Sequence, residues 1–419
     1  MTNNHPHHKL PDIHQSAWHL AAIQLTGMVS LPILASSVMV IQTNNFLSAS
    51  ITLILGNIIL WLIRWGIISM SFTGRKSTLD IARDYVGKFG SYFIAILLLV
   101  ATLAWFIVQT TLASNALTYL IPIEEPQINR FIQTSVALGI CSTLLCMEGI
   151  VVLRWLAILT LPILLVAFVG VLLVSGPAIP AVPMTGISLS GLPLILGTSL
   201  GVTADLPTFF RHSASKRNSL WALAAIQLVS LGIGFGGLFL GSVIEPWFGI
   251  KTIEEFAAAK ALARVFLVLL IFFSSISANV SNVYSASVGW ELVAPKLAGR
   301  QEYLILGLLL TTIFILITNV LSLKFLLDIS DSSLVNFCIV LIIAYLLQIF
   351  RKRHPLEREK KIYFFAWGIA TVVNVLQYSG VIFTAMPSLV TGVILVLLVC
   401  SLALISKRFK KEDQAGEGT

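Results

Sequence analysis

The chain has 419 residues, of which 57% are hydrophobic and only 11% charged, and its mean hydropathy is +0.92. A soluble chain carries roughly a quarter charged residues, so this composition excludes a soluble multidomain protein. With about 20 apolar residues needed per spanning helix, there is no room for a soluble catalytic domain. The net charge of +8 invites a nucleic-acid reading, which the distribution of the basic residues excludes.

Residues 1–17 form a polar tail that lacks the basic-then-apolar layout of a cleavable signal. It holds His5, His7, His8 and His14; such a tract can bind metal, but a plain polar tail is the simpler reading. Twelve apolar runs follow, and each is predicted to be a helix: 18–41, 46–71, 89–120, 131–147, 151–175, 190–209, 220–243, 262–290, 301–322, 332–350, 362–383 and 386–405. The chain then ends in a second tail, 406–419. The third and eighth runs exceed a membrane thickness and should tilt or project. Cys141, Cys146, Cys338 and Cys400 lie inside apolar runs without metal-ligand or disulfide spacing.

Lys and Arg set the orientation. With both tails cytoplasmic, 21 of the 27 basic residues fall on the inner side and 5 on the outer, while Arg64 lies within the second run. The positive charge therefore belongs to loops facing an anionic leaflet, and the expected location is the inner cell membrane. Arg64 is predicted to snorkel to the inner interface.

The first run, AIQLTGMVSLPILASS, carries Gly27 and Pro32 near its middle. The sixth, SGLPLILGTSLGVTADLP, carries Gly191, Pro193, Gly197, Gly201 and Pro207. Helix breakers at membrane depth are tolerated where the freed backbone lines a cavity, and matched broken helices in two repeats mark transporter sites. These are the first helices of two five-helix blocks, 18–175 and 190–350, with 362–405 as two additional helices. An offset of five spans inverts the second block.

In the third run, ATLAWFIVQTTLASNAL, Trp105 and Gln109 stand four apart on one helix face. An indole beside an amide suits a flat heteroaromatic ligand, although a Trp packed on neighbours and a Gln bonded to another helix would give the same spacing. The eighth run crowds Ser274, Ser275, Ser277, Asn279, Ser281, Asn282, Tyr284, Ser285 and Ser287 into a short stretch. These polar groups should face protein or water, either as a hard-cation site or as interhelical glue. Asp205 closes the sixth run near Arg211, a spacing that suits a gating ion pair or a helix-end cap, with a proton-carrying role as the less favoured alternative.

The segments GNIILWLIRWGIISMSFTGRKSTLDIARDYVG, AWFIVQT, TADLPTFFRHSASKRN and SANVSNVYSASVG, in this order, resemble the nucleobase:cation symporter-1 family of cytosine permeases and hydantoin transporters, within the amino acid-polyamine-organocation superfamily. The resemblance implies an all-α polytopic membrane protein of twelve transmembrane helices, a LeuT-like five-plus-five inverted repeat plus two C-terminal helices. It implies a symporter that imports a nucleobase or related heterocycle with sodium or a proton. Trp105 would stack on the substrate, Gln109 would bond its edge, and Asn279 would add a second polar contact beside Gly27 and Ser30. A sodium ion, the one small cofactor implied, would draw on the backbone around Gly27 and Ser30 and on Ser274 and Ser275. The family's helix-six aromatic is missing: Leu196, beside Gly197, stands nearest to it. Phe273 replaces a hydroxyl residue, and Leu206-Pro207-Thr208-Phe209 departs from the usual run, though Arg211 remains.

The competing expectation is an amino-acid or amine transporter of the same fold. An enzyme would need an intramembrane catalytic constellation, and His19 and His212 lack such partners. The expected partners are a small heterocycle and the bilayer, with no nucleic acid and no need for a second subunit.

Overall fold

The computed structural model describes residues 14–29, 31–72, 74–121, 127–175, 186–241, 261–293, 300–317, 323–384 and 386–401. Ser30, His5, His7, His8 and the tail 406–419 lie outside the described residues. The described chain is helical, and its four cysteines are free. The first predicted span falls on α1 (Ala17–Met28) and α2 (Leu31–Thr43). The next four fall on α3 (Phe46–Phe72), α4 (Thr78–Leu120), α5 (Gln127–Cys146) and α6 (Ile150–Ser175). The sixth falls on α7 (Leu192–Thr203) and α8 (Leu206–Phe210). The remaining six fall on α9 (Lys216–Phe239), α10 (Ala261–Val293), α11 (Arg300–Ile317), α12 (Leu323–Arg351), α13 (Glu357–Tyr378) and α14 (Ser388–Ser401).

Among the described residues, six helices are long and apolar enough to cross a membrane: α3, α4, α6, α9, α10 and α12. The other predicted spans fall on interrupted, shorter or more polar helices.

Both interruptions have the same local cause. A helical proline has no N–H to give the carbonyl four residues back. For Pro32 that carbonyl is on Met28, the last residue of α1, and for Pro207 it is on Thr203, the last residue of α7. In each case the helix stops at the residue whose carbonyl the proline leaves unbonded.

The helix α4 starts outside the apolar run. Ser77 and Asp80 form a capping box, and Gly87 then breaks the helix with φ 81°, a left-handed value that favours glycine. The residues after Gly87 match the predicted third span.

Packing places α10 at the centre, along α4 and α6 and against α1. The helix α3 packs on α7 and α9, and α12 packs on α4, α7 and α13. The approach of α10 to α4 depends on Gly289: a Cβ there would meet the Ala95 carbonyl oxygen at 2.8 Å. Small residues let helices approach closely in this way. Gly289→Leu is expected to lower the Tm of the detergent-solubilised protein, since overpacking a helix contact costs about 1–3 kcal/mol; a thermal-shift assay against wild type checks it.

Arg64 does not snorkel. It is 2% exposed, and its Nε donates to Thr203 Oγ1 at 3.1 Å, Nη1 to Gln227 Oε1 at 2.5 Å and Nη2 to the Ser199 carbonyl at 3.5 Å. The reason is the end of α7. A helix C-terminus presents carbonyls and partial negative charge, and Gln227 of α9 supplies another acceptor. The guanidinium is satisfied inside the protein rather than at the interface.

Candidate binding cavity

Both interruptions open on one cavity of about 160 Å³, lined from α1, α2, α3, α4, α7, α8, α9, α10 and α12. A cavity of about 150 Å³ is enough to hold a benzene, so this one has room for a single small ring. The walls are mainly apolar, including Ile23, Leu98, Ile195 and Phe209, with a few polar groups among them. That mix is usual for a small-molecule site.

Trp105 and Gln109 both line this cavity, as their shared helix face requires. Gln109 is 6% exposed. Its backbone carbonyl accepts from Ser275 Oγ at 3.5 Å, and no described residue hydrogen-bonds its side-chain amide. The Trp105 Nε1–H donates to Asp331 Oδ1 at 2.9 Å. An indole whose one polar atom is bonded to protein can offer a ligand only its ring surface.

Asp331 is the residue that the sequence reading missed. It sits on α12, and its Oδ1 would be 2.7 Å from a Cβ on Gly201. Glycine at 201 therefore lets the carboxylate lie against the end of α7 while it holds the indole edge. The available signal was an acid entering an apolar run in DISDSSLVN.

The other predicted site residues divide. Gly27 lines the cavity, and a Cβ there would meet nothing within 4 Å. Asn279 turns away from it: its Nδ2 donates to Thr110 Oγ1 at 2.9 Å, between α10 and α4. Asn282 is on the wall in its place, with Ser281 and Ser285. Leu196 belongs to an apolar cluster shared by α2, α3, α7, α9, α12 and α14, and a Cβ on Gly197 would meet Leu389 at 3.4 Å; Ile195, Thr198 and Val202 line the cavity from α7 instead. Ser274 Oγ donates to the Ile271 carbonyl at 3.2 Å, within its own helix, so this hydroxyl and that of Ser275 are both directed at protein carbonyls. Among the described residues no group of three His, Cys, Asp or Glu side chains comes together as a metal site.

Asp205 stands at the α7–α8 interruption and lines the cavity. Thr208 Oγ1 donates to its Oδ1 at 2.5 Å and Thr78 Oγ1 at 3.3 Å. Arg211 directs Nε at His212 Nε2, 3.3 Å away, and His212 Nε2 is 3.0 Å from Tyr284 Oη of α10. Beyond α8 the chain pairs with the residues before α1: Gln15 N–H donates to the His212 carbonyl at 2.7 Å, and Ala214 N–H to the Gln15 carbonyl at 3.0 Å. The ends of the two interrupted segments are thus tied together.

No protein-family model and no curated protein sequence matches the chain. Solved structures do. Mhp1, a nucleobase-cation-symport-1 family transporter, in a closed conformation with bromovinylhydantoin bound, is 18% identical, covers 94% of each chain and superposes with a TM-score of 0.67. A Na+-coupled sialic acid symporter in a substrate-bound outward-open state is 11% identical over 93% of this chain and 89% of its own, with a TM-score of 0.70. A manganese transporter of Eremococcus coleocola is 15% identical over 94% of each chain, with a TM-score of 0.65. The chain therefore has the fold of these membrane transporters. The similarity to Mhp1 agrees with the resemblance drawn from the sequence, and at these identities it shows the fold alone.

Proposed function

We propose that the chain is a secondary active transporter, not an enzyme, that imports a nucleobase or related planar heterocycle (cytosine, purine, hydantoin or allantoin class) together with a cation. Trp105 carries this reading: its indole lines a ring-sized cavity between two interrupted helices, with its N–H already bonded and an unbonded Gln109 amide one turn away. The ring stacks on Trp105, and the Gln109 amide matches the donor and acceptor pattern at its edge. Asn282 adds a polar group from α10. Mhp1 holds a hydantoin derivative in the same fold, which supports the class. The fold alone does not select it, because sialic acid and manganese transporters share it.

Transport follows from differential affinity. Substrate and cation together favour one of two arrangements of the interrupted segments, and a ligand shifts a conformational equilibrium only through that difference. The remaining parts of the reading are twelve crossings, two inverted repeats over 18–175 and 190–350, and both tails in the cytoplasm of an inner membrane. For sodium the proposal draws on Gly27, Ser30, Ser274 and Ser275, and for gating on Asp205 and Arg211.

Uptake of labelled cytosine, hypoxanthine, hydantoin and allantoin into proteoliposomes, with and without sodium, tests the reading. At least one of them should accumulate; uptake of none would reject it. Gln109→Ala should raise KM by about tenfold with little change in maximal rate, since a hydrogen bond made on binding is worth about 1–1.5 kcal/mol.

One observation favours a second reading. Arg64 lines the cavity and bonds only neutral acceptors in the structure, which suits an amino acid or another substrate bearing a carboxylate. Competition separates the two: amino acids should leave heterocycle uptake unchanged under the first reading and suppress it under the second.

A further inference from the structure

The two oxygens of the Asp205 carboxyl differ sharply. Oδ1 accepts the hydroxyl proton of Thr208 at 2.5 Å; the Thr78 hydroxyl is 3.3 Å from it and shares its single proton among Oδ1, the Ala204 carbonyl at 3.1 Å and Thr208 Oγ1 at 3.1 Å. Oδ2 is wholly buried and has no hydrogen-bond partner among the described residues. The side chain is 8% exposed and sits at the interruption, on the cavity wall.

An ionised carboxylate spreads its charge over both oxygens, and each of them needs donors or water. A buried charged oxygen without them costs far more than a buried neutral group. A carboxylic acid has a different requirement: its carbonyl oxygen accepts, and its hydroxyl oxygen carries its own proton. Hydroxyl donors gathered at Oδ1 and no partner at Oδ2 is the pattern of the acid. A metal cation fits less well. It would need several further oxygens around Oδ2, and the Thr208 hydroxyl is engaged at Oδ1 while that of Thr78 is shared with the Ala204 carbonyl.

The surroundings do not supply a compensating charge in contact with Oδ2. Arg211 on the same segment is the charged group whose field reaches Asp205, and its Nε faces His212. Arg64, from α3, is bonded to Thr203, Ser199 and Gln227. The group that α4 turns to Asp205 is the neutral Thr78. On α10, the Ser285 hydroxyl is a neutral hydrogen-bonding neighbour of the Asp205 side chain, while Tyr284 is engaged with His212.

We propose that Asp205 is a neutral acid in this conformation and is the group that carries the coupling proton. The O–H bond forms at Oδ2 with a proton from water on the side to which the cavity opens. It breaks on the other side, returning that proton to water, when the α7–α8 interruption rearranges and Oδ2 gains solvent donors. The coupling half rests on the transport reading above; the protonation half does not.

Infrared spectroscopy of the purified full chain reads the protonation directly. Wild type at neutral pH should show a carboxylic acid C=O band that Asp205→Asn removes. Thr208→Val, which deletes the 2.5 Å donor, should shift the same band. An Asp331→Asn sample identifies any acid band that belongs to that residue. Identical spectra for wild type, Asp205→Asn and Thr208→Val would overturn the proposal.

Flux in proteoliposomes reads the coupling. A gradient of about one pH unit drives about tenfold accumulation at one proton per substrate. Asp205→Asn should lose that accumulation, and its uptake should no longer depend on the pH gradient. Wild-type-like accumulation by Asp205→Asn would overturn the proposal. If no heterocycle moves at all, the substrate reading fails, and the infrared bands still decide the state of Asp205.

Discussion

Trp105→Ala is expected to remove most uptake at low substrate concentration, by about one to two orders of magnitude, while the protein still inserts and elutes as a folded species. Stacking of a nucleobase on an aromatic side chain is worth about 1–3 kcal/mol by alanine substitution. The truncation removes that ring face from the cavity and leaves Asp331 Oδ1 without the indole donor. Trp105→Phe separates the two losses: it keeps an aromatic face and gives up the N–H, so it should retain part of the uptake. Initial rates in proteoliposomes, normalised to inserted protein, check both. Wild-type rates for Trp105→Ala would place the substrate elsewhere.

The second large effect is expected at Asp331. Asp331→Ala should weaken substrate binding by about tenfold without touching the ligand, because a buried donor left without its acceptor costs about 1–3 kcal/mol and the freed indole can leave its stacking position. Asp331→Asn keeps an oxygen for the Trp105 N–H and should recover most of the binding. Gly201→Ala should resemble Asp331→Ala, since its new Cβ would lie 2.7 Å from the carboxylate oxygen unless the acid moves. Isothermal titration with the transported heterocycle compares the three. Equal loss for alanine and asparagine would mean that the charge at 331, not the indole anchor, matters.

How much of this was legible in the sequence depends on range. The interruptions were, because a proline removes a specific backbone donor and Pro32 and Pro207 each stop a helix four residues back. Trp105 with Gln109 was legible because i and i+4 share a face wherever the helix is placed. Helix phase against neighbours was not. In the eighth run polar residues lie on several sides, so nothing in the pattern says that Asn282 lines the cavity while Asn279 turns to Thr110. Nor does the sequence show how α7 is turned: Ile195 and Thr198 line the cavity, and Leu196 and Gly197 do not. Arg64 and Asp331 failed for a related reason. Their partners, Thr203 and Gln227 for one and Trp105 for the other, are more than 130 residues away in sequence. Asp331 is further hidden because the apolar run starts at 332, whereas α12 begins at Leu323.

The most direct measurement is a density map of the protein saturated with whichever heterocycle it accumulates. The ring should lie flat on the Trp105 indole with the Gln109 amide at its edge, between the Met28–Leu31 and Thr203–Leu206 interruptions. A ligand held at Arg64 without touching Trp105, or a cavity filled by lipid while the ligand binds elsewhere, would contradict it.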